Sequence, residues 1–565
     1  MIGSLPPAAV MILGALLVPL LRGRLRKAYI LALPVLGFVY LLALGEGTFG
    51  HVSLFSYELT LVRIDGLSRL FGYLFHLAAF IGLIFALRAE GSTEHVAALI
   101  YAGGAVGAVA AGDLITLFVF WELLAVSSTF LIWARGTERS YRAGMRYLII
   151  QVGSGVLLLA GILLHYRETG SLAFGHLGTE RLGTQLIFVA FGIKCAFPLL
   201  HNWLTDAYPE STATGAVFLS AFTTKVAVYA LARGFAGTET LVFIGAAMTA
   251  FPIFYAVIEN DLRRVLAYSM INQIGFMVCG IGIGTELAVN GAVAHAFNDV
   301  LFKGLLFMSM GAVLYRTGRI NGSELGGLYK SMPKTALLCM VGAASISAFP
   351  LFSGFVSKSM VMSAALHEGY DWVWLVLLFA SAGVFHHAGI KIPFFAFFAH
   401  DSGIRCKEAP RNMLIAMTIA AVLCVFNGSF PDAFLYKMLP FPVDYVPYTV
   451  GHVITQLQVL FFSALAFTWL KISGLYPPEL RSTNIDSEWV YRRLLPGMVS
   501  RLATMGDWWQ GGIVEGGRRG VDRLVGGVYR HHGPQGIFAR TWATGSTVLW
   551  VAVLLAAYLI VYYLR

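Results

Sequence analysis

Paired cysteines and charge are what this chain of 565 residues has least of. Its five cysteines (Cys195, Cys279, Cys339, Cys406, Cys424) are scattered, with no CxxC and no Cys/His spacing. That excludes an iron–sulfur site or disulfide framework, and no metal or redox cofactor is expected. Charged residues make up 12% of the chain, whereas a soluble globular chain carries about a quarter. A soluble domain is therefore excluded, and the 58% hydrophobic content predicts a polytopic membrane protein. The opening MIGSLPPAAVMILGALLVPLL has no charged leading region and no A-x-A site, so it reads as a first span and not a cleaved signal. A net charge of +10 then reflects arginine in cytoplasmic loops, not a nucleic-acid partner.

Apolar runs predict an all-α fold with about sixteen spans, near 5–22, 28–44, 66–87, 95–112, 114–134, 144–165, 185–204, 214–235, 240–258, 262–283, 285–315, 335–364, 371–399, 412–430, 451–472 and 543–564. Basic residues recur after odd-numbered spans: Arg22, Arg24, Arg26 and Lys27; Arg135, Arg139, Arg142 and Arg146; Arg263 and Arg264; Arg316, Arg319, Lys330 and Lys334; Arg405, Lys407 and Arg411. That side is the cytoplasm, and both termini lie outside it, as for a multi-pass protein of a bacterial inner membrane.

The seventh run, QLIFVAFGIKCAFPLLHNWL, holds Lys194 at mid-length and Pro198 four residues later. Pro198 lacks an amide hydrogen and clashes with the carbonyl of Lys194, so the helix should break there. An ionisable group at that depth costs roughly 2.5–3.5 kcal/mol on insertion scales, so Lys194 must face a hydrated or paired interior. Ala196-Phe197-Pro198-Leu199 recurs in span twelve as Ala348-Phe349-Pro350-Leu351, again beside a lysine, Lys358. Five spans separate the copies, so two five-helix repeats of opposite orientation are expected, spans four to eight (95–235) and nine to thirteen (236–400). Residues 1–94 then form three leading helices, 401–475 two more, 476–542 a basic amphipathic segment on the cytoplasmic side, and 543–565 the last helix.

Other buried charges line up with Lys194. Glu122 lies near the middle of span five, with Asp113 at its outer end; Lys225 lies in span eight; His295, Asp299 and Lys303 share one face of span eleven, four residues apart. His386, His387 and Lys391 lie toward the cytoplasmic part of span thirteen. Glu122 is the natural counter-charge for Lys194. Burial and a nearby carboxylate act on a lysine's proton in opposite senses, so making and breaking such a contact toggles uptake and release. Each of these groups also has a bland reading, as a structural ion pair or, for Lys358, as a donor to carbonyls freed by the proline; His76 and His201 read as satisfied structural histidines.

The stretches FVFWELL around Glu122, GIKCAFPLLHNWLTDA around Lys194, ENDLRRVLAYSMINQIGFM at 259–277, HAFNDVLFKGLLFMSMGAVLYR at 295–316 and FPLFSGFVSK ending at Lys358 resemble the antiporter-like subunit family. It unites the proton-pumping membrane subunits of respiratory complex I with the A-type and D-type subunits of Mrp cation/proton antiporters. The resemblance, over roughly 95–430, implies a proton path through Glu122, Lys194, Lys225 and Lys358, with Glu122 paired to Lys194, Lys225 linking the halves and Lys358 on the exit side. It implies a transporter subunit and not a catalyst by itself, whose partners are protons, a monovalent cation such as sodium or potassium, lipid and other membrane subunits. The D-type subunit is most alike; a subunit of a redox-driven complex (complex I or membrane-bound hydrogenase type) and a non-transporting scaffold are the alternatives. Two departures stand out. Asp299 replaces the family's histidine before Lys303, and the loop WLTDAYPESTATGAV lacks the family's prolines, which predicts a looser loop. In 487–531, arginines mixed with Trp489, Leu494, Trp509 and Ile513 predict interfacial amphipathic helix, and its glycines argue against one unbroken rod.

Overall fold

The computed structural model describes residues 5–54, 57–89, 91–480, 484–534, 536 and 543–564. It divides into two units, Met1–Asn484 and Ile485–Arg565, and parts of the predicted 476–542 segment (481–483, 535 and 537–542) lie outside the described residues.

The larger unit opens with a short helix, α1 (Ala8–Ala15), and α2 (Gly23–Ala43). A β-hairpin follows, β1 (Gly47–Leu54) against β2 (Tyr57–Ile64), antiparallel with Phe49 opposite Val62. The fold is helical but not purely so. Seeking runs long enough to cross a bilayer passes over a pair of eight-residue strands, the second of which buries Leu59, Val62 and Ile64 without a strict period of two. Next come α3 (Gly66–Phe85), α4 (Thr93–Ala110), α5 (Leu114–Trp133), α6 (Glu138–Thr169) and α7 (Leu182–Lys194). Short α8 (Asn202–Ala207) leads to α9 (Gly215–Ala221) and α10 (Thr223–Gly234). Then come α11 (Thr240–Ile258), α12 (Leu262–Ile283), α13 (Glu286–Thr317), α14 (Pro333–Ile346), α15 (Ser353–His367) and α16 (Asp371–Val384). A π-helical stretch, Phe385–Lys391, continues α16, and α17 (Arg411–Ser429) and α18 (Val450–Ile472) complete the unit's helices.

Among the described residues, thirteen helical segments are long and apolar enough to cross a membrane, and three shorter apolar helices join them. The protein is a polytopic membrane protein. In the central apolar stretch of α12 and of α13, 94% of the residues are buried within the fold.

The two halves follow one plan, with 148 to 152 residues between matching positions. Asp113 caps α5 and bridges to Ala173; Asp261 caps α12 and bridges to Asn321. Helices α6 and α13 are each 32 residues long and end on a left-handed glycine, Gly170 and Gly318. The match is tightest at the breaks. Ala196 and Leu199 take positive φ (62° and 69°), and so do Ala348 and Leu351 (57° and 72°). In each break the phenylalanine amide reaches five residues back, Phe197 to the Gly192 carbonyl (3.0 Å) and Phe349 to that of Ala344 (3.0 Å). Non-glycine residues in that region cost about 1–3 kcal/mol each and persist only where the surroundings impose them.

The loop read as loose is clamped. The buried guanidinium of Arg263 donates to the carbonyls of Tyr208, Ser211 and Thr212 (3.1 Å each) and to Ser211 Oγ (2.8 Å), while Thr212 Oγ1 donates to Glu94 (2.9 Å). All four of these Arg263 contacts converge on one nitrogen, Nη2, which gathers the loop around it. At the same end of the fold Arg135 and Arg139 pair with Glu210 (3.3 and 2.6 Å). There too, Arg405 and Lys330 hold the Asp401 carboxyl well below the usual carboxylate range.

In the smaller unit, α19 (Leu495–His532) is one continuous helix of 38 residues, followed by α20 (Thr544–Tyr563). The expectation that glycines would interrupt α19 was wrong. An internal glycine costs a helix only about 1 kcal/mol relative to alanine, and among the described residues nothing beyond the helix's own backbone lies within 4 Å of the site of a Cβ at Gly511, Gly512, Gly516 or Gly517.

Candidate functional site

Helix breaks in a bundle core leave carbonyls that need donors, and two buried lysines and an indole supply them. Pro350 cannot donate to Ile346, four residues back, and Lys358 Nζ donates to that carbonyl at 2.7 Å. At the first break the indole of Trp203 donates to the Ile193 carbonyl (2.8 Å). A third break, which the sequence did not announce, separates α9 from α10 at Phe222. Here the Thr223 amide donates to the hydroxyl of Tyr101 (3.0 Å), and Lys225 Nζ donates to the carbonyl of Ser220 (3.2 Å). No proline marks this break; it depends on Tyr101, more than a hundred residues away in sequence.

Lys194, Lys225, Asp299 and Lys303 are each 0% exposed and Lys358 is 2% exposed, so every charge among them must be met inside the protein. An ion pair among them joins the two repeats: Lys225 Nζ lies 2.5 Å from Asp299 Oδ2. Asp299 is also the carboxylate whose field reaches Lys303 and Lys358. Lys303 donates to Ser269 Oγ (2.8 Å), His295 Nδ1 lies 3.0 Å from Ser357 Oγ, and Asn298 donates to the Ser353 carbonyl (2.8 Å). Thus the departure from the family's histidine supplies one anion to three buried lysines. The spacing of His295, Asp299 and Lys303 places them on one face of α13; that Lys225 meets Asp299 emerges only when α10 packs against α13.

The expected contact of Glu122 with Lys194 is not made. Lys194 Nζ donates to the main-chain carbonyl of Trp121 and stands 4.5 Å over that residue's indole. The indole is pinned by Ser154 Oγ (3.1 Å), itself donating to the Ala190 carbonyl (2.8 Å). Successive helix residues point about 100° apart, so Glu122 turns from Trp121 toward α6. Its Oε1 is buried without a hydrogen-bond partner among the described residues. The two charges remain electrostatic neighbours.

Gly155 makes that resting place. A Cβ at 155 would stand 1.5 Å from Glu122 Oε1. Gly155→Ala is expected to displace the carboxylate and to cost about 1–3 kcal/mol by overpacking. Thermal unfolding of the solubilised protein measures the cost, and the same change in a Glu122→Ala background should cost less.

The remaining candidates divide. Asp113 caps α5, accepting from the amides of Thr60 (2.9 Å) and Thr116 (2.7 Å). His76 Nδ1 lies 2.7 Å from the Gly72 carbonyl. His387 and Lys391 are buried in the π-helical stretch, and His386 stacks on Tyr476 (ring centroids 5.7 Å apart). Through His387 this group lies within electrostatic range of Lys303.

Residues 111–385, which include Glu122, Lys194, Lys225, Asp299, Lys303 and Lys358, match the family model described as NADH:quinone oxidoreductase/Mrp antiporter, transmembrane. The chain is 33% identical over 311 residues to the D-type subunit of the Na(+)/H(+) antiporter of Alkalihalophilus pseudofirmus, covering 50% of this chain and 63% of that one. It is 34% identical over 342 residues to the N-type subunit of the NADH-quinone oxidoreductase of Desulforudis audaxviator, covering 55% and 68%. The chain thus spans about two thirds of the length of these relatives. In fold it is like a chain of the membrane-bound sulfane sulfur reductase, an archaeal respiratory membrane complex, with a TM-score of 0.71 at 22% identity over 98% of this chain and 99% of the other. The chain belongs to the transmembrane family shared by NADH:quinone oxidoreductases and Mrp antiporters.

Proposed function

We propose that this chain is the proton-translocating membrane subunit of a multisubunit monovalent cation/proton antiporter, akin to the D-type subunit, in the inner membrane of a bacterium. The Lys225–Asp299 pair carries the reading. It sits where the two repeats meet, in a row of buried basic groups that share one carboxylate. One carboxylate compensates one ammonium, so a proton added to one lysine raises the cost of a proton on its neighbours, and charge moves along the row by exchange. Glu122 and Lys194 form the first exchange step, closing and opening as the carboxylate turns between Gly155 and the ammonium. Lys225 and Asp299 pass the change across the repeat boundary, by way of His295 and Lys303, to Lys358. Sixteen crossings with the arginine-rich loops in the cytoplasm, and the domain limits given above, belong to the same proposal.

A second reading has its own support: the N-type subunit of an NADH-quinone oxidoreductase is as similar as the antiporter subunit, and the same row would serve a redox-driven pump. Purification of the native complex separates them. Small antiporter subunits, with proton flux in everted vesicles that depends on sodium or potassium, are expected. Flavin or iron–sulfur subunits with no cation dependence would establish the second reading instead.

A further inference from the structure

One buried acid of the larger unit is unused by the proton row: Glu479, in the irregular stretch after α18. Its side chain is only 6% exposed, and Oε1 lies 2.9 Å from Lys391 Nζ. The same ammonium donates to the main-chain carbonyls of Val257 (2.6 Å) and Glu259 (2.7 Å). These carbonyls belong to the end of α11, where the last turn has no intrahelical donors and the helix dipole favours positive charge. The Glu259 side chain is buried beside them, its Oε2 accepting from Asn484 (3.2 Å) and lying 3.9 Å from Arg264. Lys391 is the last residue of a π-helical stretch, an irregularity frequent at functional sites, and His387 Nε2, one turn away, is buried without a hydrogen-bond partner among the described residues.

Two carbonyls and a carboxylate around one positive charge form a donor set of hard oxygens only, the kind that suits alkali and alkaline-earth cations. We propose that this nest, Val257 O, Glu259 O and the Glu479 carboxylate, is a monovalent-cation site whose occupancy alternates between a metal ion and the ammonium of Lys391. When the ammonium withdraws, Glu479 loses its nearest positive charge and the two carbonyls lose their donor. A single cation restores both. A divalent ion would bring one charge more than the ammonium it displaces. The groups that set the balance around Lys391 are Glu479 and Glu259, against Lys471 on α18, Arg264 on α12, and His386 and His387 on its own helix.

Glu479 follows a turn that is fastened in place. The Tyr476 ring stacks on His386, Lys471 stands 5.1 Å over the same ring, and the Tyr476 amide donates to the Leu470 carbonyl (2.9 Å). Opening this turn would expose the nest from the end of the fold that bears the arginine-rich loops.

The assignment rests on the antiporter reading and deepens it by placing the cation in this chain. Equilibrium retention of radioactive sodium and rubidium by the purified native complex tests it without turnover. Glu479→Gln should weaken retention of at least one ion by about tenfold or more, and Lys391→Met should strengthen it by about tenfold, its competitor gone. Lys391→Arg and Glu479→Asp keep the charges and show that the complex assembles. Lys194→Ala should leave retention unchanged, so a failed proton path and a failed cation site are told apart. Retention in Glu479→Gln and Lys391→Met equal to that of the unaltered complex, or no retention by any of them, overturns the proposal.

Discussion

Replacing Asp299 by alanine is expected to cost about 3–5 kcal/mol of stability and to stop proton translocation, because it strands Lys225 in the core with no counter-charge. The contact is 2.5 Å long between two side chains that are 0% exposed, and the same carboxylate serves Lys303 and Lys358. Its loss therefore removes the carboxylate nearest to Lys225, Lys303 and Lys358 together. The double variant Asp299→Asn with Lys225→Met removes both charges together, and most of the stability should return because an apolar or neutral replacement of a buried pair is often harmless. Flux should not return, since nothing then carries charge across the repeat boundary. Thermal unfolding and vesicle flux, measured on the same preparations, check the two halves of this expectation. Wild-type flux in the double variant would show that the pair is structural and the path lies elsewhere.

The second large effect concerns the first exchange step. Glu122→Ala and Lys194→Ala should each abolish cation-dependent proton flux in everted vesicles that contain the whole complex, with assembly intact. Their costs in stability should differ. Lys194 donates to the Trp121 carbonyl and packs on its indole, so its removal forfeits a charge-assisted hydrogen bond and that packing, at about 1.5–3 kcal/mol. Glu122 makes no hydrogen bond through Oε1, so its loss should be nearly free and the Gly155 pocket should tolerate it. A variant pair in which the stable protein is the silent one would tie Glu122 to transport and not to folding. Normal flux in both would remove the mechanism.

Residue types were legible where chemistry alone restricts them. A lysine in an apolar run must be buried and partnered, and a proline four residues on must open the helix; Lys194 with Pro198 and Lys358 near Pro350 obey both rules. The repeated Ala-Phe-Pro-Leu was legible as a repeat, and its two copies share one backbone path down to the sign of φ at the flanking Ala and Leu. Partnership was not legible. Proximity along the family pattern suggested Glu122 for Lys194, whereas helix phase turns Glu122 toward Gly155 and delivers Trp121 instead. Asp299 stood out in the sequence only as a replacement for the family's histidine; its role as partner of Lys225 follows from the packing of α10 against α13. Glu479 drew no notice because a lone acid after a span has no local signature; its meaning comes from the carbonyls of α11, more than two hundred residues earlier.

By itself, the order of residues decided that this chain lives in a bilayer, where it must break its helices, and which side chains must be ionisable at depth. Those are consequences of transfer energies and of backbone chemistry, which act on each segment separately. Only the packed structure decided which acid meets which base, that a third helix parts at Phe222 without a proline, and that one lysine sits in a nest of oxygens. Such outcomes depend on contacts between distant helices, and the rotation of one helix against another is set by the fit of many side chains at once.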